Sequence, residues 1–351
     1  MRKLSTLAIF LSVIIIGCQS PETTTETDVV VENPNAAIRE QAQRMFGTLP
    51  AIADNPNNEL TDAKIKLGHM LYFDKVLSKG QTQSCNTCHN LSTYGVDNLP
   101  TSPGDNGTLG TRNSPTVFNA GLHFKQFWDG REPDVEAQAG GPVLNPIEMG
   151  MPDEAQVVER LSKIDQYKTL FAEAFPGEEP AITYDNMKKA IGAFERKLIT
   201  PSPFDQFLAG DDKAMSEQAI KGMDTFIKVG CTTCHMGNVL GGNMMQKFGL
   251  FADYWTLTNS KVIDNGLYEL TKNESDKYIF KVPGLRNIEK TGPYFHDGSV
   301  AKLSDAVVIM AKTELNKDLT PEEVNDIVAF LNALTGEAPA DLIKDPFVNA
   351  E

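Results

Sequence analysis

Four of the five cysteines fall into two Cys-X-X-Cys-His units, Cys85-Asn86-Thr87-Cys88-His89 and Cys231-Thr232-Thr233-Cys234-His235. Two thiols at that spacing can add across the two vinyl groups of one haem, and the adjacent histidine then reaches the iron from the proximal side. A zinc ribbon would bring two Cys-X-X-Cys pairs much closer in sequence than these, and a thioredoxin-type motif needs no following histidine. The chemistry predicted is that of two covalently attached c-type haems. The fifth cysteine, Cys18, lies far from both units, and no cysteine is left over for a disulfide.

The sixth position on each iron separates electron transfer from catalysis. A haem closed on both faces passes electrons, whereas an open one binds a small molecule. Outside the two units the chain has three histidines, His69, His123 and His296, and several methionines, among them Met236, Met244, Met245 and Met310. Composition does not choose among them.

The elements that must position these groups are predominantly helical, joined by long loops rich in Gly, Pro and Asn. The clearest helix is the last: Thr320 as N-cap, Pro321 at N1 and Glu323 at N3 form a capping box. Val324, Ile327, Val328, Leu331 and Leu334 follow at helical spacing, and Gly336 can end the helix. Similar patterns cover about 61–73, 154–175, 185–199 and 216–229. No sustained alternation of apolar residues occurs, so any strands are short. Twice, a helix leads into a Cys-X-X-Cys-His unit and a long irregular loop follows. Thr200-Pro201-Ser202-Pro203 is the best boundary between the copies, because two prolines in four residues cannot continue the preceding helix.

The N-terminus reads as an address. Met1-Arg2-Lys3 is a positive start, Leu4 to Ile16 an apolar core too short for a comfortable membrane span, and Ile15-Ile16-Gly17-Cys18 a bacterial lipobox. Residues 1–17 are expected to be a lipoprotein signal peptide, with Cys18 lipidated, and 18–35 a polar, Thr-rich tether. About 315 residues remain from Ala36 on, a length that suits two domains. The expected division is 36–202 and 203–345. A net charge of −15 makes nucleic acid an unsuitable partner.

Several longer motifs resemble a known family: LGHMLYFDKVLS (67–78), SCNTCHN (84–90), GTRNSPTVFNA (110–120), FWDGREPDVEAQAGGP (127–142), NPIEMG (145–150), GCTTCHMG (230–237), FKVPGLRNIEKTGPYFHDG (280–298) and DAVVIM (305–310). Together, from about 40 to 345, the chain resembles the bacterial dihaem cytochrome c peroxidases. The resemblance implies an all-α fold of two cytochrome c-like domains, each with one covalent c-type haem. It implies that the haem on Cys85, Cys88 and His89 is the low-potential site that binds hydrogen peroxide. The haem on Cys231, Cys234 and His235, with Met310 as second axial ligand, would be the high-potential electron port, since thioether ligation raises a haem potential. Trp128 would lie between the haems, and Glu148 and Gln138 would line the peroxide pocket. Asn113 and the carbonyls of Thr291 and Pro293 would help hold calcium, a hard cation that prefers oxygen ligands. Heterolytic O–O cleavage needs a proton moved from the inner to the outer oxygen, the task implied for Glu148.

One position departs from the family. Many relatives carry a histidine about sixteen residues beyond the first unit, which caps the peroxidatic iron until the other haem is reduced. Here Asp105 stands in Ser102-Pro103-Gly104-Asp105-Asn106-Gly107, and aspartate is a poor substitute for imidazole. The expectation is a peroxidatic haem that needs no reductive activation, with only His69 or His123 as replacement ligands.

The function expected is therefore a periplasmic, lipid-anchored peroxidase. It would reduce hydrogen peroxide to water with electrons from a small monohaem cytochrome c or cupredoxin, and the resemblance allows a homodimer. Two alternatives stand beside it. One is a dihaem oxidase acting on a partner protein, a branch in which tyrosine replaces the methionine ligand, so that Met310 counts against it. The other is a pure electron carrier with both irons closed.

Overall fold

Two pairs of helices cross with their backbones touching, and each pair stands beside one of the Cys-X-X-Cys-His units. The computed structural model describes residues 34–348. Its helices are α1 (Ala36–Met45), α2 (Asp62–Phe73), α3 (Cys85–Cys88), α4 (Val135–Leu144), α5 (Glu154–Ser162), α6 (Asp165–Ala174) and α7 (Tyr184–Glu195). They continue with α8 (Pro203–Leu208), α9 (Glu217–Val229), α10 (Tyr254–Thr258), α11 (Tyr268–Thr271), α12 (Leu303–Leu315) and α13 (Pro321–Asn332). Among the described residues the strands are two short ones, β1 (Met245–Lys247) and β2 (Ile279–Lys281), paired antiparallel. The fold is mainly helical, as expected. The expected signal peptide, Cys18 and nearly all of the 18–35 tether lie outside the described residues.

Local chemistry sets the helix ends. Thr61, Thr183, Ser216 and Thr320 each accept a hydrogen bond from the backbone N–H three residues on, an arrangement that contributes about 1 kcal/mol per helix. At α13 the Glu323 carboxylate returns the contact to the Thr320 N–H at 2.8 Å, completing the predicted box. The helix expected over 154–175 is two, because Ile164 takes an extended conformation between α5 and α6. That break lets Leu161 from α5 and Tyr167, Leu170 and Phe171 from α6 reach one core.

The first crossing is α2 on α7. A Cβ added at Gly68 would stand 1.9 Å from the Ala190 carbonyl oxygen and 2.9 Å from Phe194 Cβ. The second is α9 on α13, where a Cβ at Gly222 would stand 1.8 Å from the Asp326 carbonyl oxygen and 3.1 Å from Phe330 Cβ. Around the first, Leu67, Leu71, Ile191 and Phe194 form one core; around the second, Met223, Phe226, Ile327 and Phe330 form another. The chain ends cross over between them. Ala42 and Phe46 join the second core, whereas Ala338, Leu342 and Ile343 pack on the first.

A further repeat links the halves. Phe127-Trp128-Asp129-Gly130 recurs as Phe295-His296-Asp297-Gly298, with positive φ at Phe127, Gly130, Phe295 and Gly298. Asn113, Pro115 and Asn119 recur at the same spacing as Lys281, Pro283 and Asn287. The copies are stitched reciprocally: Asn113 N donates to His296 O and Lys281 N to Trp128 O, both at 2.7 Å. Asn119 and Asn287 each donate their side-chain amide to the buried Thr200 hydroxyl, at 2.8 and 2.9 Å.

At both crossings the obstructing atom is a backbone oxygen, which cannot swing aside. Gly68→Ala or Gly222→Ala is therefore expected to destabilise the protein by about 3 kcal/mol or more, beyond the usual cost of overpacking. The check is the midpoint of denaturant unfolding of the haem-loaded protein.

Candidate functional site

α2 and α9 hand the chain to the two units. Tyr72, near the end of α2, donates to the His89 carbonyl at 2.6 Å. His89 Nδ1 lies 2.9 Å from Pro115 O, and His235 Nδ1 lies 3.0 Å from Leu240 O. A carbonyl only accepts, so each Nδ1 carries the proton and Nε2 keeps the lone pair a metal needs. Burial lowers both histidine pKa values, which favours the neutral, ligating imidazole. Burial pushes all four thiols up, Cys88 to about 11 and Cys231 to about 12. Thiolate chemistry is therefore disfavoured, and the four are unpaired.

Each unit opens on a cavity. The one beside Cys85, Cys88 and His89 has a volume of about 1190 Å³, and the one beside Cys231, Cys234 and His235 about 260 Å³. Each has in its wall one buried side-chain atom without a hydrogen-bond partner among the described residues, Gln83 Oε1 in the first and His296 Nε2 in the second. Paired thiols, an oriented imidazole and an unpartnered polar atom around a cavity fit a covalently held haem in each.

The structure brings most of the predicted residues to these cavities. Gln138 and Glu148 line the first; Met310, on α12, lines the second together with His235. Met236, Met244 and Met245 line neither, and Met236 is 45 % exposed. Trp128 and Asn113 belong to the walls of both cavities, and Trp128 Nε1 donates to Asn113 O at 2.9 Å. Asn113, Thr291 and Pro293 all line the second cavity. Asn113 Nδ2 is spent on Leu99 O at 2.9 Å, which turns its amide oxygen free for another partner.

Glu148 follows from the Asn145 turn. Asn145 Nδ2 donates to its Oε1 at 2.7 Å, and no hydrogen bond reaches Oε2 among the described residues. Burial raises the Glu148 pKa, against the opposing pull of Arg131 and Asn145. Asp105 does not line the cavity. Its carboxylate accepts from Gly80 N and Thr82 Oγ1, both at 2.6 Å, and its N–H donates to Glu148 O at 2.7 Å. Neither spare histidine reaches the first cavity. His69 stacks on Phe194 and bonds Lys344 O, and His123 faces Lys281. Met149 does line that wall, as a buried member of the first core.

Two groups in the first cavity were not foreseen from the sequence. Arg112 forks onto Asp264 at 2.7 and 3.0 Å and onto Asp129 at 2.6 Å, tying the second half to the cavity rim. Glu195 on α7 is 4 % exposed, and burial with the nearby Glu136 carboxylate pushes it up to about 8. Its one signal in the sequence is its place a helical turn beyond Ile191.

Comparison with known proteins agrees with this geometry. Residues 62–213 match the family model described as di-haem cytochrome c peroxidase. The chain is 44 % identical over 308 residues to a cytochrome c551 peroxidase of Pseudomonas aeruginosa, covering 86 % of this chain and 88 % of that one. It is 44 % identical to a cytochrome c551 peroxidase of Nitrosomonas europaea, covering 78 % and 80 %. A crystal structure of a MauG-like protein associated with microbial copper homeostasis superposes with a TM-score of 0.74 at 28 % identity, over 85 % of this chain and 97 % of that one.

Replacing Cys85 and Cys88 together with Ala, or Cys231 and Cys234 together, is expected to remove about half of the haem that survives denaturation. Haem staining of a denaturing gel measures it.

Proposed function

The chain belongs to the bacterial dihaem cytochrome c peroxidase family, and from that premise we propose that it reduces hydrogen peroxide to two waters in the cavity beside His89. Two electrons and two protons balance the reaction. Cys85, Cys88 and His89, within residues 36–202, would hold the peroxidatic haem. Cys231, Cys234 and His235, with Met310 as second axial ligand, would hold the electron-transfer haem within 203–345. When bound, the haems supply a metal for peroxide in the first cavity and a relay for donor electrons in the second.

The inequality of the two cavities carries this reading. The second is mainly apolar and has the Met310 thioether and His235 in one wall. The first is larger and has Glu148, Gln138 and Arg112 in its wall, with no histidine but His89 there among the described residues. Glu148 Oε2 takes the proton of the inner peroxide oxygen and delivers it to the outer one, so that water leaves. Asn145 holds Oε1 still, which leaves Oε2 as the moving acid–base. Gln138 can donate its amide to the bound oxygens, and Trp128, shared by both walls, would carry electrons across.

Asp105 supports a site that needs no reductive activation, because its carboxylate is engaged with Gly80 and Thr82. Asn113 and the carbonyls of Thr291 and Pro293 would hold calcium between the halves. The electron donor would be a small monohaem cytochrome c or cupredoxin. Export to the periplasm with a lipid on Cys18 is the proposed location; no helix among the described residues is long and apolar enough to cross a membrane. The likeness to a MauG-like structure keeps a second reading in view, an oxidase acting on a partner protein. Met310 counts against it.

Three measurements test the proposal. Glu148→Gln is expected to lower kcat/KM for peroxide by about 10²- to 10⁴-fold, the usual worth of a positioned acid–base, with both haem spectra unchanged. Because Glu148 must be ionised to accept the proton and burial raises its pKa, wild-type activity should fall with acid above the ordinary glutamate value of about 4.3. That acid limb should vanish in Glu148→Gln. The as-isolated ferric protein should give a high-spin EPR signal and turn over without pre-reduction; two low-spin haems alone would overturn the open-site reading.

A further inference from the structure

Lys281 ends β2 with its side chain inside the molecule and no anion beside it. It is 6 % exposed and lines the second cavity. Its Nζ has one polar partner among the described residues, His123 Nδ1 at 3.3 Å. Other charged groups nearby are engaged elsewhere. Lys247, on the paired strand, lies over the Tyr278 ring. Glu314 on α12 accepts from Gly249 N at 2.6 Å, and Asp129 is held by Arg112 and Arg131. A desolvated ammonium facing only an imidazole is a costly arrangement unless something supplies negative charge.

The repeat says where that charge would lie. Lys281 occupies in the second half the position that Asn113 occupies in the first, and each bonds the aromatic turn of the opposite half. Lys281 therefore stands at the seam of the two halves and lines the His235 cavity, with its backbone on Trp128 and its Nζ on His123. A haem bound there brings two propionate carboxylates, whereas Lys281 Nζ has no carboxylate partner among the described residues.

We propose that Lys281, held by His123, is the counter-cation of a carboxylate on the haem attached at Cys231 and Cys234, and that it sets the potential of that haem. The inference rests on haem attachment at that unit and deepens the reading of the second site as the electron port. A positive charge near the iron favours the ferrous state and raises the potential. Reduction of that haem would in turn favour the ammonium over the neutral amine, so Lys281 would take up a proton as the electron arrives. Burial lowers the Lys281 pKa to about 8 in the protein without that carboxylate, and the carboxylate raises it. The potential should then fall as pH rises through that range. His123 does not compete for the proton, because burial and the Lys281 charge push its imidazole well down.

The test is spectroelectrochemical titration of the His235 haem in the full chain carrying both haems, at several pH values from about 7 to about 10. Lys281→Met should shift the midpoint potential downward at neutral pH and flatten its pH dependence. Lys281→Arg, which keeps the charge and does not titrate, should hold the neutral-pH potential near wild type and lose the pH dependence. It reads the same question if Lys281→Met does not fold. A Lys281→Met or Lys281→Arg protein whose pH dependence equals that of wild type overturns the inference. Wild-type protein with no haem on Cys231 and Cys234 would overturn it together with the reading of the second site, whereas a loaded haem insensitive to Lys281 overturns the inference alone.

Discussion

Two backbones touch where Gly68 on α2 meets the Ala190 carbonyl of α7, and touch again where Gly222 on α9 meets that of Asp326 on α13. Helices normally stay apart by the thickness of their side chains; a missing Cβ removes that spacer. The close approach fixes the direction in which α2 and α9 leave the crossing, and with it the location of each Cys-X-X-Cys-His unit. Near the first crossing Tyr72 reaches the His89 carbonyl, and the neighbouring face of α7 gives Ile191 and Glu195 to the cavity. Near the second, Phe226, Ile327 and Leu331 line the cavity of His235. One packing solution, used twice, thus builds two sites of similar plan.

What makes the sites different is the material placed against that plan. α12 brings a methionine to the second cavity. α4 and the Asn145 turn bring an amide and a carboxylate to the first. The wall between is made by the reciprocal hydrogen bonds of Asn113 with His296 and Lys281 with Trp128. Because the bonds are mutual, neither half can slide without breaking a contact belonging to the other. The electron path proposed through Trp128 would depend on such rigidity, since it needs a fixed separation between donor and acceptor. The Arg112 fork onto Asp264 and Asp129 adds a charged tie at the same seam.

Much of the helical layout was legible in the chain. The cap at Thr320 and the apolar spacing over 61–73, over 216–229 and from Val324 on are local signals, and the structure forms helices there. α4 was less legible because Gly140, Gly141 and Pro142 are poor helix formers; it forms because Val135, Ala139 and Val143 pack into the first core. The break at Ile164 was hidden for the opposite reason, since the apolar period runs on while the backbone turns to serve the same core. The crossing glycines carried no local mark, because a glycine inside a helical pattern reads only as a weak point until the partner backbone is known.

The sequence by itself determined where haem can be attached, because two thiols and a histidine within five residues are brought together by one turn of chain. It determined that position 105 holds a carboxylate and not an imidazole. Only the tertiary structure decided that this carboxylate turns to Gly80 and Thr82, that Met310 and not Met236, Met244 or Met245 lines the cavity of His235, and that Lys281 is buried without an anion among the described residues. Those outcomes depend on which surfaces meet across more than a hundred residues of chain, and burial then sets the charge each group can bear.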